Sequence, residues 1–255
     1  MRLQWDNNED RLIQTGVDHG VLYPIGGKAV SWNGLTEVAV KRGDPKLETL
    51  YYEGQPFDIL SSKMYNSFRI SAYTYPDVFD YLTGFDQDLT GVLVDNQQSR
   101  YFHVSYRTQV GLDDYQIHLI LNQKAIPQEV AYRTIQGSPE PSTFVWETVG
   151  VPMRIGGFNT CRLVFDTRVL PEIMIQTLEN YLYGTSTTEA SVDHVRNYIN
   201  YLQDKMKTMK ITNNNDGTWT ADVDDAVARL YGDYFEFTNA TARYLDTHTY
   251  EMEER

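Results

Sequence analysis

Residues Tyr101–Leu121 read YFHVSYRTQVGLDDYQIHLIL, and the alternation inside this stretch decides the fold. In Tyr101–Thr108, Phe102, Val104 and Tyr106 fall on one side of an extended chain, with His103, Ser105 and Arg107 on the other. That period of two is the mark of a strand. After a polar turn around Gly111–Asp114 the alternation resumes, with Tyr115, Ile117, Leu119 and Leu121 on one face. The two halves predict an antiparallel hairpin packed on one side.

The same texture extends in both directions. Gly16, Gly20, Gly34, Gly54, Gly84 and Gly91 punctuate segments rich in Val, Tyr, Phe and Thr, which read as short strands. Ser142–Val149 and Phe158–Phe165 predict a second strand pair joined across Gly156–Gly157. The Asp216-Gly217 step predicts a hairpin between Ile211–Thr212 and Thr218–Thr220, and Tyr234–Thr238 and Ala242–Tyr250 continue the β pattern. Two segments break it. Pro171–Tyr183 spaces Ile175, Leu178 and Leu182 as a helix does, with Pro171 suited to the first turn and Gly184 to the stop. Ser191–Met206 has a capping Ser191, an early Asp193, and one stripe of Val192, Val195, Ile199, Leu202 and Met206. No repeat or long linker intervenes. The reading is one domain over 1–255, with the C-terminal strands at about 211–250 as its most independent part.

Composition bounds the function. A chain of 255 residues, 41% hydrophobic, can bury a substantial core. No apolar run approaches the roughly 20 residues that cross a bilayer. The opening MRLQWDNNEDR lacks the apolar region of a secretory signal, and Cys161 is the only cysteine, so folding in a cytoplasm without disulfides is expected. The net charge of -13 argues against stable nucleic-acid binding, which rests on Lys and Arg neutralising phosphates. Two readings fit that charge: solubility, or an acidic surface that faces DNA without gripping it.

No motif assembles a reactive site. The 5 histidines are dispersed; His103 and His118 are placed to meet across the central hairpin, but two histidines alone make no metal site. Ser105 lacks a nucleophile-elbow context, and Cys161 sits at an alternating strand position, where packing is its expected role. Asn213–Gly217 resembles a calcium loop, yet the position for the closing bidentate acid falls on Val223. Arg42-Gly43-Asp44 reads as an exposed turn. The 19 tyrosines suit both sheets and subunit interfaces, where a large ring keeps one wet edge.

Several phrases, taken in order, carry a family likeness: Thr15–Tyr23 (TGVDHGVLY) with Ser31–Leu35 (SWNGL), Ile70–Phe79 (ISAYTYPDVF), Ser105–Thr108 (SYRT) with Ile117–Leu121 (IHLIL), Ser138–Glu147 (SPEPSTFVWE), and Ile211–Val223 (ITNNNDGTWTADV). From residue 15 almost to the C-terminus the chain resembles the major tail proteins, or tail tube proteins, of long-tailed non-contractile bacteriophages (siphophages). Thr185–Lys210 departs from the usual pattern. The resemblance implies a mainly β subunit, a β-sandwich of the tail tube type with one or two flanking helices, giving strands to a ring-shaped barrel on assembly. It further implies six-fold rings of this chain stacked into a tube around a tape measure protein. Tail tip and tail terminator proteins would be further partners, and double-stranded DNA would pass through without specific binding. No enzymatic activity, cofactor, metal or membrane insertion is implied, and the protein belongs in the virion after synthesis in the bacterial host cytoplasm.

Such a tube needs a closing lateral interface and a second surface that stacks rings. Strand edges suit the first. For the second, residues 41–63 form a candidate arm, with Lys41, Arg42, Lys46, Leu50, Tyr51, Tyr52 and Phe57 as candidate inter-ring contacts. Residues 1–14 are another candidate arm. Competing readings are a different tail or head–tail connector component, a hydrolase using His103 or His118, and a carbohydrate-binding sandwich using tyrosines.

Overall fold

The computed structural model describes residues 13–43, 47–52, 55–61, 66–89, 91–126, 128, 142–208, 211–213, 218–221, 234–237, 240–246 and 249–254. In chain order the first half carries β1 (Gln14–Pro24), β2 (Val30–Trp32), β3 (Leu35–Arg42), β4 (Leu47–Tyr52), β5 (Gln55–Ser61), β6 (Asn66–Ala72), α1 (Val78–Thr83), β7 (Asp86–Leu89), β8 (Val92–Val94), β9 (Phe102–Val110) and β10 (Asp114–Ile126). The second half carries β11 (Phe144–Gly150), β12 (Met153–Ile155), β13 (Phe158–Thr160), β14 (Arg162–Asp166), α2 (Glu172–Tyr183), α3 (Val192–Thr208), β15 (Ile211–Asn213), β16 (Thr218–Ala221), β17 (Tyr234–Phe237), β18 (Ala240–Asp246) and β19 (Thr249–Glu254). The protein is mainly β, with three helices among the described residues. It divides into two compact units, the first comprising residues 1–113, 117–153 and 160–164, the second 114–116, 154–159 and 165–255.

The first unit is built on an 8-stranded sheet in the order β2-β1-β9-β10-β11-β6-β3, with β14 also paired to β10. The two N-terminal phrases pair with each other: Gly20 of β1 faces Trp32 of β2. β1 then pairs antiparallel with β9, setting Leu22 opposite Val104. The sheet is curled, because β1 and β3 approach each other. Val17 of β1 and Val38 and Val40 of β3 all pack on the cluster of Phe68, Tyr106, Ile120 and Cys161. Farther along the concave face, Phe79 of α1 fills the space between Trp32, Trp146 and Phe102, with ring centroids 4.8, 5.0 and 5.2 Å away. Tilted and edge-on rings at such distances add to area burial. Phe79 and Phe102 are wholly buried, so each contributes roughly 2–3 kcal/mol.

Two expectations from the alternating pattern need correction. The central hairpin is covered on both faces, not one: Phe102, Val104 and Tyr106 are buried, and so are His103, Ser105, Ile117, Leu119 and Leu121. The polar face is tolerated inside because its groups are hydrogen-bonded to partners remote in sequence. The second strand pair also forms differently. β11 pairs with β6 and with the end of β10, while Gly156–Gly157 closes only the small β12–β13 hairpin. β14 joins the earlier part of β10, where the Leu121 N–H donates to the Cys161 carbonyl at 2.8 Å.

β10 changes neighbours at Asn122. Its φ of 51° puts it in the left-handed region, which Asn tolerates better than most residues. There the Val151 N–H donates to the Asn122 carbonyl, and Asn122 Nδ2 donates to the Val151 carbonyl at 3.0 Å. Beyond this kink Gln123 is fully buried, donating to the Leu121 carbonyl and accepting from Thr148 Oγ1 at 2.8 Å.

In the second unit α2 begins after Pro171, buries Met174, Ile175, Leu178 and Leu182, and stops at Gly184. Ser191 Oγ accepts the Asp193 N–H at 3.2 Å, capping α3 as its sequence predicts. The two helices pack through Tyr181, whose ring lies 5.5 Å from that of His194 and 5.8 Å from that of Tyr198. The C-terminal sheet runs β15-β16-β19-β18-β17. β15 and β16 form the hairpin read from Asp216-Gly217, whereas the stretch read as one strand at Ala242–Tyr250 is divided between β18 and β19. No helix among the described residues is long and apolar enough to cross a membrane.

Candidate functional site

The polar side chains of the central hairpin are engaged with each other. His118 stacks on Tyr106, with centroids 4.7 Å apart. Arg162 of β14 donates from Nη2 to His118 Nδ1 at 2.9 Å. A guanidinium only donates, so Nδ1 accepts and the ring proton is assigned to Nε2. Nε2 in turn donates to Thr108 Oγ1 at 2.8 Å, and that hydroxyl also accepts from Gln14 Nε2 at 2.6 Å. Burial, and then the Arg162 charge, push His118 down to about 4. The imidazole is therefore neutral at pH 7 with both nitrogens occupied. This cluster ties β1, β9, β10 and β14 together.

His103 does not join it. By alternation it lies on the opposite face of β9 from Tyr106, and its Nδ1 accepts the Asn122 N–H at 2.8 Å. Ser105 Oγ lies 3.0 Å from Tyr23 Oη, and both residues are buried. Burial pushes the Cys161 thiol up, leaving it a packed group. Among the described residues no three His, Cys, Asp or Glu side chains gather as a metal site. Asn213 ends β15, while Asn214–Gly217 and Val223 lie outside the described residues.

The candidate arm takes the form of a two-stranded ribbon, β4–β5, inserted between β3 and β6. Tyr52 and Phe57 are 68% and 77% exposed, Leu50 is exposed beside them, and the two rings lie 6.4 Å apart. Lys41, at the end of β3, is ion-paired with Glu147 of β11 at 2.5 Å. Arg42 closes β3 opposite Asn66, Tyr51 lies on β4 opposite Pro56, and Lys46 lies outside the described residues, as do residues 1–12 of the other candidate arm.

A second ribbon escaped the sequence reading. β7 and β8 pair with Asp86 opposite Val94 and Gln87 opposite Leu93. Leu89, Val92, Leu93 and Val94 are all exposed. Consecutive exposed residues on a strand mean that both ribbon faces are open. The only sequence signal is the run Val92–Val94 after Gly91, and the acids on β7 mask it, because Asp is depleted in strands. Compared with known proteins, the chain matches no family model and no curated protein.

Proposed function

We propose that this protein is a structural subunit of a siphophage tail tube, assembling from copies of itself as six-fold rings stacked around a tape measure protein. The observation that carries the reading is the pair of ribbons, β4–β5 and β7–β8, which present large apolar side chains outside a well-packed sheet. A two-stranded ribbon is marginally stable in water alone, and exposed apolar patches mark association surfaces. The order of the tail-protein phrases along the chain, and the acidic balance of -13 suited to a wall past which DNA slides, support the same reading. The candidate inter-ring contacts Leu50, Tyr52 and Phe57 belong to the first ribbon.

Negative-stain electron microscopy of the concentrated protein tests this. Long open tubes are expected. Isolated rings point to a head–tail connector instead, and monodisperse monomers at every concentration overturn self-assembly.

A further inference from the structure

The face of the large sheet turned away from the core has an unusual charge. Register across β3, β6, β11 and β10 sets two rows there: Ala39–Arg69–Glu147–Ile126 and Lys41–Ser67–Val149–Lys124. Their neighbours along each strand, including Val40, Phe68, Trp146 and Ala125, pack into the core, so these rows point outward. Lys124 Nζ extends over the Tyr101 ring, 5.5 Å from its centroid. Arg69 is exposed, as are Tyr101, Ile126 and Val149. Lys41, Arg69 and Lys124 stand against Glu147 and, at the next outward position of β3, Glu37, a surplus of one positive charge (three minus two) in a chain of net charge -13. Glu147 stays ionised, because the hydrogen bond and charge of Lys41 hold its carboxyl below the usual range.

The β7–β8 ribbon has the complementary character. It exposes Leu89, Val92, Leu93 and Val94; exposed Asp95 follows β8 at the end paired with exposed Asp86, whose carboxylate lies 3.6 Å from Arg100 of the same chain. We infer that the β7–β8 ribbon of one copy docks on the outer face of β3, β6, β11 and β10 in a second copy. Leu93 and its neighbours cover the apolar side chains there, and the ribbon's aspartates approach Arg69 and Lys124. This rests on the self-assembly reading above and names its surfaces. A single ribbon-to-face contact between two copies is heterologous: the pair keeps one free patch of each kind, and repetition yields a ring or an open filament. Three cations interleaved with apolar side chains suit an acidic protein partner better than a phosphate backbone, whose capture relies on clustered Lys and Arg.

Four variants of the full chain test the contact, with light scattering and sedimentation giving the critical concentration for assembly. They are Arg69→Glu/Lys124→Glu, Asp86→Lys/Asp95→Lys, the chain with all four changes, and Leu93→Ser, which leaves charge untouched. Circular dichroism selects folded preparations. Each charge pair and Leu93→Ser should raise the critical concentration about tenfold or more, and the four-change chain should return to within about threefold of the parent. Normal assembly of the pair variants overturns the contact while leaving self-assembly intact. A defect in both pairs that the four-change chain does not repair also overturns it. A parent chain that never assembles overturns both readings.

Discussion

The central hairpin β9–β10 and the ribbons β4–β5 and β7–β8 are made of similar material, antiparallel strands carrying aromatic and branched side chains, yet their fates are opposite. In β9–β10 even the polar residues are buried, with His118, Ser105 and His103 at 3%, 0% and 8% exposure. In the ribbons large apolar residues are exposed, Phe57 to 77% and Leu89 to 66%. Alternation in a strand therefore states that one face has a partner and leaves open which molecule supplies it. For β9–β10 that partner lies within the chain. For the ribbons, the proposed partner is another copy.

Substitutions sharpen this contrast. The largest effect is expected at Phe79, which touches Trp32, Trp146 and Phe102. Phe79→Ala should cost about 4 kcal/mol in denaturant unfolding. A loss under about 1 kcal/mol would mean that the aromatic core is not cohesive. Next comes acid. His118 has a folded pKa of about 4, against 6.5 when unfolded. Its contribution to stability is therefore fully present above pH 6.5 and is lost as pH falls toward 4, by roughly 3 kcal/mol in all. Unfolding free energies measured between pH 7 and 4 should show this slope, and His118→Gln should flatten it. The smallest effect on stability is expected in the arm: Phe57→Ser should change unfolding by less than about 0.5 kcal/mol while impairing assembly. A Phe57 variant that unfolds early would move β4–β5 to the buried side of the comparison.

Much of the fold was legible because periodicity is local. β9, β10, the β1–β2 pair and the capped α3 are each written in contiguous residues. What was hidden depends on neighbours distant in sequence. Burial of His103 and Ser105 depends on Asn122 and Tyr23, and no local pattern reveals that. The misread second strand pair has the same origin. β10 serves β14 before Asn122 and β11 after it, so one strand satisfies two partners that look in sequence as if they should satisfy each other. Among the candidate contacts, exposure of Leu50, Tyr52 and Phe57 fits an outward arm, whereas Lys41 spends its charge on Glu147 within the same chain. A lone run such as Lys41–Lys46 says nothing about which cations are already neutralised.

The curled sheet also sets the order of events at the ribosome. Tyr23 and Ser105, joined in the finished sheet, are 82 positions apart. β6 likewise waits for β11, which pairs with it from the later half of the chain. A chain that emerges N-terminus first thus holds β1 and β6 without their long-range partners until β9 and β11 have left the tunnel. Such non-local pairing is slow, and unpaired strand edges invite wrong associations in the meantime. The ribbons pair only strands close in sequence, so their exposed apolar side chains leave the tunnel before the sheet that carries them has its core.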